Sequence, residues 1–336
     1  MRNMIQGGQL MVRIEVNEEQ CNGCGLCADF CPTSVFDLQE VGGRRVARAN
    51  RSDDCWACNT CVGQCPEGAI AIIEQAAEER CVEDSKGVIP FPSLNADEMA
   101  HYGALSAALE RVLRLKWKPV AVTLIPHGSS LPPMPIPRVK LRYCQSLMMA
   151  RHGETLLMPR QAHACPDGSH VLGLTKMLPK LASGELYIRF GKLASIEAAR
   201  QMISERPCLP EQSVRATLVT PLEKAVVKPD IVIVLAPPES MMWLCMASSF
   251  YTGKSFNFKV STYNAICVET TLYPLTTGEI NVSLGCYGSR AASDIGDDTM
   301  FMGIPIRKLP SLVEGLEELS KKAIPDARAK IYFHPR

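Results

Sequence analysis

The sequence lacks an excess of either charge: its 336 residues hold 36 lysines and arginines against 35 aspartates and glutamates, for a net charge of +1. It also has no basic run and no stripe alternating arginine with aromatics, so nothing points to nucleic acid or to an anionic membrane surface as a partner. Long apolar runs are missing, and none approaches the ~20 residues that span a bilayer. Met1 to Leu10 lacks the charged and apolar regions of a secretory signal. The expected compartment is therefore cytoplasmic, where the 15 cysteines stay reduced. Absent too are a phosphate loop, a glycine fingerprint for dinucleotides after a strand, an HExxH helix and a nucleophile elbow. Nicotinamide and ATP chemistry are left unsupported, and a flavin stays open.

What the sequence does have is cysteine in a fixed rhythm. Cys21 to Pro32 reads CNGCGLCADFCP, and after 23 residues Cys55 to Pro66 reads CWACNTCVGQCP. Both are C-x2-C-x2-C-x3-C-P, and the offset between them is 34 residues, an internal repeat. Three cysteines spaced by two residues aim three sulfurs from one tight loop, while a fourth, three residues on, points away. Gly23 and Gly25 supply the backbone freedom for such a loop, and Ala57, Asn59 and Thr60 are the small residues of the second copy. Pro32 and Pro66 end each run. Zinc sites built from paired C-x2-C units stop at four ligands per metal. A disulfide framework suits a small secreted domain. Neither accounts for two runs of three evenly spaced cysteines with a fourth before proline.

The pattern closely resembles bacterial-type two-cluster ferredoxins over about residues 11 to 76. The resemblance implies a small duplicated fold with two [4Fe-4S] clusters exchanging single electrons at low potential. It implies one cluster on Cys21, Cys24, Cys27 and Cys65, and a second on Cys55, Cys58, Cys61 and Cys31, so that each motif completes the other's cluster. Strands are expected at Val12–Val16 and Ala69–Ile73 on either side of the motifs.

Residues 77–95 read as a charged, then proline-punctuated linker containing Cys81, a spare thiol. From 96 to 336 the pattern changes to alternating helices and strands, so the whole chain is expected to be α+β, a duplicated cluster module followed by a larger mixed α/β domain. Helices are expected from Ala96, with Asn95 or Asp97 as cap, and at Arg142–His152, Ser195–Glu205, Met241–Tyr251, Thr262–Thr271 and Pro310–Ala323. Strands are expected at Lys118–Ile125, Thr155–Met158, Leu186–Phe190, Asp230–Leu235 and Glu279–Leu284.

In this region the chemistry-bearing residues are Cys144, Cys165, Cys267 and Cys286. Cys165 lies on a Pro-Asp-Gly turn and Cys286 on a Gly-rich turn after a strand, where side chains commonly face a site. Cys144 and Cys267 fall in expected helices and read equally well as small buried hydrophobes, while Cys208 and Cys245 read as structural. The four form a candidate third metal centre, with Cys165, Cys286 and Arg290 as candidate catalytic residues. The bland alternative is four unrelated buried thiols. Gly285–Arg290 is also a candidate anion-binding nest. Arg142 and Arg151 beside Cys144 suit the same anion, and His163 and His170 bracket Cys165 as candidate proton donors.

The series Arg142-Tyr-Cys144, Ala150-Arg151-His-Gly153, Cys165 with Gly168 and Leu172-Gly173, Pro229-Asp-Ile-Val-Ile, Ala236-Pro-Pro and Ser283–Arg290 with Gly303-Ile-Pro305 resembles the family called domain of unknown function 169, over about residues 97 to 325. This resemblance implies an archaeal or anaerobic bacterial setting and leaves the substrate open. The function expected is iron-sulfur electron transfer. In that reading an oxidoreductase passes low-potential electrons from two [4Fe-4S] clusters, supplied by redox partner proteins, to a cysteine-centred site that reduces a small anionic substrate. The alternatives are an electron-transfer subunit docking onto a larger redox complex, and a metal or cofactor carrier.

Overall fold

The computed structural model describes residues 11–75, 91–261 and 263–328. Cys81 and most of the expected linker lie outside the described residues. In chain order the elements are β1 (Met11–Val16), α1 (Leu26–Phe30), β2 (Phe36–Val41), β3 (Arg44–Ala49), α2 (Thr60–Gln64), β4 (Ile70–Gln75), α3 (Ala96–Leu113), β5 (Val120–Pro126), α4 (Tyr143–Arg151) and β6 (Leu156–Pro159). There follow α5 (Pro166–Val171), α6 (Pro179–Ala182), α7 (Glu185–Arg189), α8 (Ile196–Glu205), β7 (Val214–Pro221), β8 (Ile231–Ala236), α9 (Pro238–Ser249), a π-helix (Ala265–Leu272), α10 (Tyr273–Thr277), β9 (Asn281–Ser283), α11 (Tyr287–Ala292), β10 (Met300–Pro305), α12 (Leu309–Lys321) and α13 (Ala323–Arg328). The architecture is α+β. Strands fall into two two-stranded sheets, β1-β4 and β2-β3, and one six-stranded sheet of order β6-β7-β5-β8-β10-β9.

The chain forms two compact units. The first takes Met1–Pro90, Ile125–Tyr143 and Leu156–Thr217. In it β1 and β4 pair antiparallel from Met11↔Gln75 to Val16↔Ile70, which closes the ends of the two cysteine motifs on each other. Between the motifs, β2 and β3 form a hairpin in register Phe36↔Ala49 to Val41↔Arg44. Its two-residue turn is Gly42-Gly43, with φ of 58° and 76°. Two successive positive φ values match the right-handed twist of the strands, and only glycine takes them without strain. The small core under the motifs gathers Val35, Phe36, Ala47 and Ile70 with the cysteines themselves.

The second unit takes Phe91–Leu124, Cys144–Thr155 and Leu218–Arg336. Every residue of β8 is buried. It pairs antiparallel with β5 (Val120↔Ile233) and with β10 (Met302↔Val234), and β10 pairs in turn with β9 (Phe301↔Ser283). The apolar run Ile231–Ala236 is continuous rather than alternating because a strand covered on both faces needs apolar side chains on both. One face carries Leu105 and Leu109 of α3, Trp243 and Leu244 of α9, and Leu312 and Leu316 of α12, packed on Val232, Val234, Met302 and Ile304. Helix α3 starts at a full capping box. The Asn95 side chain accepts from Glu98 N–H, and the Glu98 carboxylate accepts from Asn95 N–H, both at 2.9 Å.

Two expectations are corrected here. Leu186–Phe190 is not a strand: α7 runs from Glu185 to Arg189, begun by Gly184 at φ 85°. Its alternation fitted a strand only because five residues cannot separate the two periods, and tertiary burial of Leu186 and Tyr187 selects the helix. The expected α-helix over Thr262–Thr271 is a π-helix at Ala265–Leu272.

Candidate metal centres and the cysteines of the second unit

The first motif turns its chain through left-handed backbone at Gly23 (φ 71°) and Gly25 (φ 82°), and the second at Ala57 (φ 51°) and Asn59 (φ 58°). Ser34 (φ 55°) and Gly68 (φ 61°) follow the same rule. All three pairs are 34 residues apart, the offset of the cysteines. In the second motif Ala57 takes this backbone at a cost of roughly 1–2 kcal/mol, while Asn59 is of the type that tolerates it.

The eight motif cysteines line two cavities. One is lined by Cys21, Cys24, Cys27 and Cys65. The other is lined by Cys31, Cys55, Cys58 and Cys61. Each cavity thus draws three sulfurs from one motif and the fourth from the other.

Backbone N–H groups already point at the sulfurs. Val35 N–H donates to Cys31 Sγ and Ala69 N–H to Cys65 Sγ, each at 3.3 Å and four residues on. Ala57 N–H donates to Cys55 Sγ at 3.3 Å and Ala47 N–H to Cys21 Sγ at 3.5 Å. Such donors stabilise negative charge on sulfur.

Burial pushes the Cys27 thiol up to about 11, with a smaller push from Cys21 and Cys24. Burial likewise raises Cys61 to about 12, and there the neighbouring sulfurs are Cys58, Cys55 and Cys31. Thiolates gathered partly out of water repel one another, and cations between them relieve that repulsion. The donor set, four soft thiolates per cavity with N–H donors behind them, fits an iron-sulfur cluster. Among the described residues, no three His, Cys, Asp or Glu side chains are gathered for a single metal ion.

The first unit also brings later residues onto the motifs. Lys140 Nζ donates to Cys55 O at 2.7 Å, and Arg142 Nη2 to Cys58 O at 2.8 Å. The Arg160 guanidinium lies over the Trp56 ring, 3.8 Å from its centroid. Lys180 Nζ donates to Ala28 O at 2.9 Å and to Cys31 O at 3.1 Å. Phe190 meets Phe30 with centroids 5.1 Å apart, and Arg189 pairs with Asp29 at 3.1 Å. Burial holds both Lys140 and Arg160 below their ordinary values. Sequence reasoning missed Lys140, Arg160, Lys180 and Arg189, and set Arg142 beside Cys144 without its Cys58 contact, because nothing local ties residues 140–190 to residues 28–58.

The remaining candidates are divided between the units, with Cys165 in the first and Cys144, Cys267 and Cys286 in the second. Cys165 caps α5, its sulfur accepting from Gly168 N–H at 3.3 Å. Cys286 caps α11 in the same way, accepting from Ser289 N–H at 3.4 Å. Cys144, on α4, accepts from Ser293 Oγ at 3.3 Å, just past the other end of α11. Cys267 sits in the π-helix and donates to Asn264 O at 3.3 Å.

Arg290 uses its guanidinium on the carbonyls of Leu284, Gly296 and Thr299 at 2.6–3.0 Å, which staples the turn around α11. Arg151 is buried against the Trp117 ring, 4.1 Å from its centroid, and bonds Asp294. His163 is fully buried, and burial lowers it to about 4, so at neutral pH its ring is uncharged.

One feature went unread in the sequence. Glu269 is wholly buried in the π-helix, accepting from Ser261 N–H and Oγ and from Ser283 Oγ.

Comparison with known proteins follows the same division. A 4Fe-4S dicluster domain matches residues 13–72. The family DUF169, described as an uncharacterised ArCR, matches residues 108–315. The uncharacterized protein MJ0308 of Methanocaldococcus jannaschii is 28% identical over 178 residues, 52% of this chain and 76% of that protein. A ferredoxin of Methanothermococcus thermolithotrophicus is 36% identical over 63 residues, 18% of this chain and 98% of the ferredoxin. A ferredoxin of Thermococcus litoralis is 31% identical over 61 residues, again 18% of this chain and 98% of its own length. The chain belongs to the DUF169 family and carries at its N-terminal end a ferredoxin domain of the 4Fe-4S dicluster kind.

Proposed function

We propose that this protein carries two [4Fe-4S] clusters, on Cys21, Cys24, Cys27 and Cys65 and on Cys31, Cys55, Cys58 and Cys61, and passes single electrons between redox partner proteins and its DUF169 part. The observation that carries this reading is the pair of cavities, each taking its fourth cysteine from the opposite motif. When bound, such clusters supply one-electron transfer at a potential set by charge, hydrogen bonds to sulfur and exposure. The chain's part is to hold the thiolates, to aim the N–H groups of Val35, Ala47, Ala57 and Ala69 at them, and to bury Cys27, Cys31, Cys55 and Cys61.

The matching 34-residue offset of cysteines and left-handed residues supports a duplicated module over 11–76, followed by the DUF169 domain over 96–336. The finer reading, an oxidoreductase with a cysteine-centred acceptor for a small anionic substrate, draws support from Cys165 and Cys286, each facing a helix N–H. Cys144 and Cys286 also stand at opposite ends of α11. A second reading, docking onto a larger redox complex, is favoured by α9 and its end, where Met242, Met246 and Phe250 recur every four residues and stay 42–47% exposed.

The test is iron and sulfide content of the full-length protein purified without oxygen. About eight irons per chain are expected for two cubanes. About four, or none, refutes the two-cluster reading. Iron beyond eight that is lost in Cys286→Ser or Cys165→Ser supports the acceptor, while turnover unchanged in both variants argues against it.

A further inference from the structure

Cationic side chains are spread unevenly around the two cysteine sets. Lys140 and Arg142 bond the carbonyls of Cys55 and Cys58, and Arg160 covers Trp56 between them. Lys180 reaches the carbonyl of Cys31, a third member of that set, and of Ala28 beside the other. All four cations lie within the stretch matched by DUF169. Around the other set the arginines bond Glu18 rather than a cysteine carbonyl, while Lys140 too has an acid beside it, its N–H donating to the Glu74 carboxylate. Arg44 bonds Glu18 O at 2.6 Å, and Arg48 pairs with the Glu18 carboxylate at 2.7 Å, which cancels its charge locally.

Exposure differs as well. Cys31, Cys55 and Cys61 are buried and Cys58 is half-buried, whereas in the other set Cys27 is buried, Cys21 and Cys65 are half-buried and Cys24 is exposed. Burial alone disfavours adding negative charge to the Cys31/Cys55/Cys58/Cys61 set, because low-dielectric surroundings solvate it poorly. The same low dielectric makes a fixed cation count for more, and salt screens it less.

Resting on the two-cluster reading above, we propose that Lys140, Arg142 and Arg160 act as a cationic clamp that raises the reduction potential of the cluster held by Cys31, Cys55, Cys58 and Cys61. The clamp offsets the cost of burial and makes that cluster the site where an arriving electron rests, next to residues 140–180. By reciprocity, reduction strengthens the contacts of Lys140 and Arg142 with the Cys55–Cys58 loop. These residues therefore sense the electron as well as hold it.

The test is a potentiometric titration of the full chain, purified without oxygen and followed by EPR, with iron counted on each sample. Lys140→Gln keeps a donor for Cys55 O while removing the charge, and Arg160→Met keeps an apolar stem over Trp56. The double variant is expected to lower one midpoint by at least 59 mV, a tenfold fall in its reduced-to-oxidised ratio for one electron, and to leave the other midpoint and the iron content unchanged. The shifting signal is expected to persist in Cys24→Ser, which leaves the Cys31 set intact. Lys140→Arg, which keeps the charge, is expected to keep the wild-type midpoints.

Unshifted midpoints at full iron content overturn the clamp, as does an equal shift in Lys140→Arg. If the double variant loses iron, the Lys140→Gln and Lys140→Arg single variants decide between the two outcomes. A wild-type chain with about four irons fails the two-cluster reading instead, and the two failures stay distinct.

Discussion

Gly303 of β10 lies so close under Thr270 of the π-helix that a Cβ placed on it would stand 2.0 Å from the Thr270 carbonyl oxygen. The contact seats the π-helix on the sheet. Its neighbours tighten the same turn, for Thr270 and Thr271 both donate their hydroxyls to Ile266 O, at 2.7 and 3.1 Å. Gly303→Ala therefore forces backbone apart rather than a flexible side chain. It is expected to destabilise the protein by about 1–3 kcal/mol, the range for overpacking. A denaturant midpoint equal to wild type would show that the two elements part freely.

Arg206 and Asp167 form an ion pair at 2.8 Å with the guanidinium almost wholly buried, and Tyr187 joins it, donating to Asp167 at 2.8 Å. A buried pair loses more when one partner goes than when both go, since the survivor is left charged out of water. Arg206→Met is expected to cost about 3–5 kcal/mol, and Arg206→Met with Asp167→Leu clearly less. Equal losses in chemical denaturation of the two variants would contradict this account.

The contrast between these two sites shows what was legible in the sequence. The cluster loops could be read because ligand spacing is local: the three-cysteine rhythm and its offset fix the loop, and the flanking strands follow. The apolar run of β8 could be read for the same reason, and the cap of α3 as Asn95 or Asp97, of which the structure uses Asn95. The hairpin β2-β3 carried its signal in Gly42-Gly43, yet the eye rests on the cysteines. Strand β10 was missed because Gly303 weakens a strand pattern, and its reason is a contact with a distant element. Lys140, Arg160 and Lys180 gave no signal, since a cation's partner across 100 residues is a property of the fold. Cys144, Cys165, Cys267 and Cys286 stood out by residue type and turn context, but their hydrogen bonds near helix ends depend on turns that the spacing does not fix.

Equivalent positions of the two motifs make an internal control. At Gly23 an added Cβ would stand 2.3 Å from Arg45 O, on a backbone at φ 71°, whereas Ala57 already carries a Cβ at φ 51°. Gly23→Ala is expected to lose the iron bound by the Cys21 set, about half of the total. Ala57→Gly is expected to keep full iron, relieving roughly 1 kcal/mol of left-handed strain against a similar entropic cost. Iron analysis of the two variants side by side decides it, and equal losses would mean that the loops do not depend on these contacts.

His163 gives the pH dependence. Its Nε2 is 3.1 Å from Met158 O and 3.3 Å from Thr217 Oγ1, and Nδ1 is buried without a hydrogen-bond partner. Burial, opposed by the Met158 carbonyl and aided by nearby Arg160, lowers the ring from 6.5 to about 4. Between those two values the unfolded chain holds a proton that the folded chain refuses, so unfolding takes up protons and stability rises with pH. The contribution is complete above about pH 6.5, falls as the pH drops toward 4, and levels off below it. His163→Gln keeps a donor for Met158 O and has no proton to gain. The stability difference between wild type and this variant is expected to shrink or reverse steadily from pH 7 to pH 5, measured by urea midpoints on oxygen-free samples. A difference that stays constant over that range would mean that the folded ring titrates as the unfolded one does, and a difference that grows toward pH 5 would mean that the fold holds it charged.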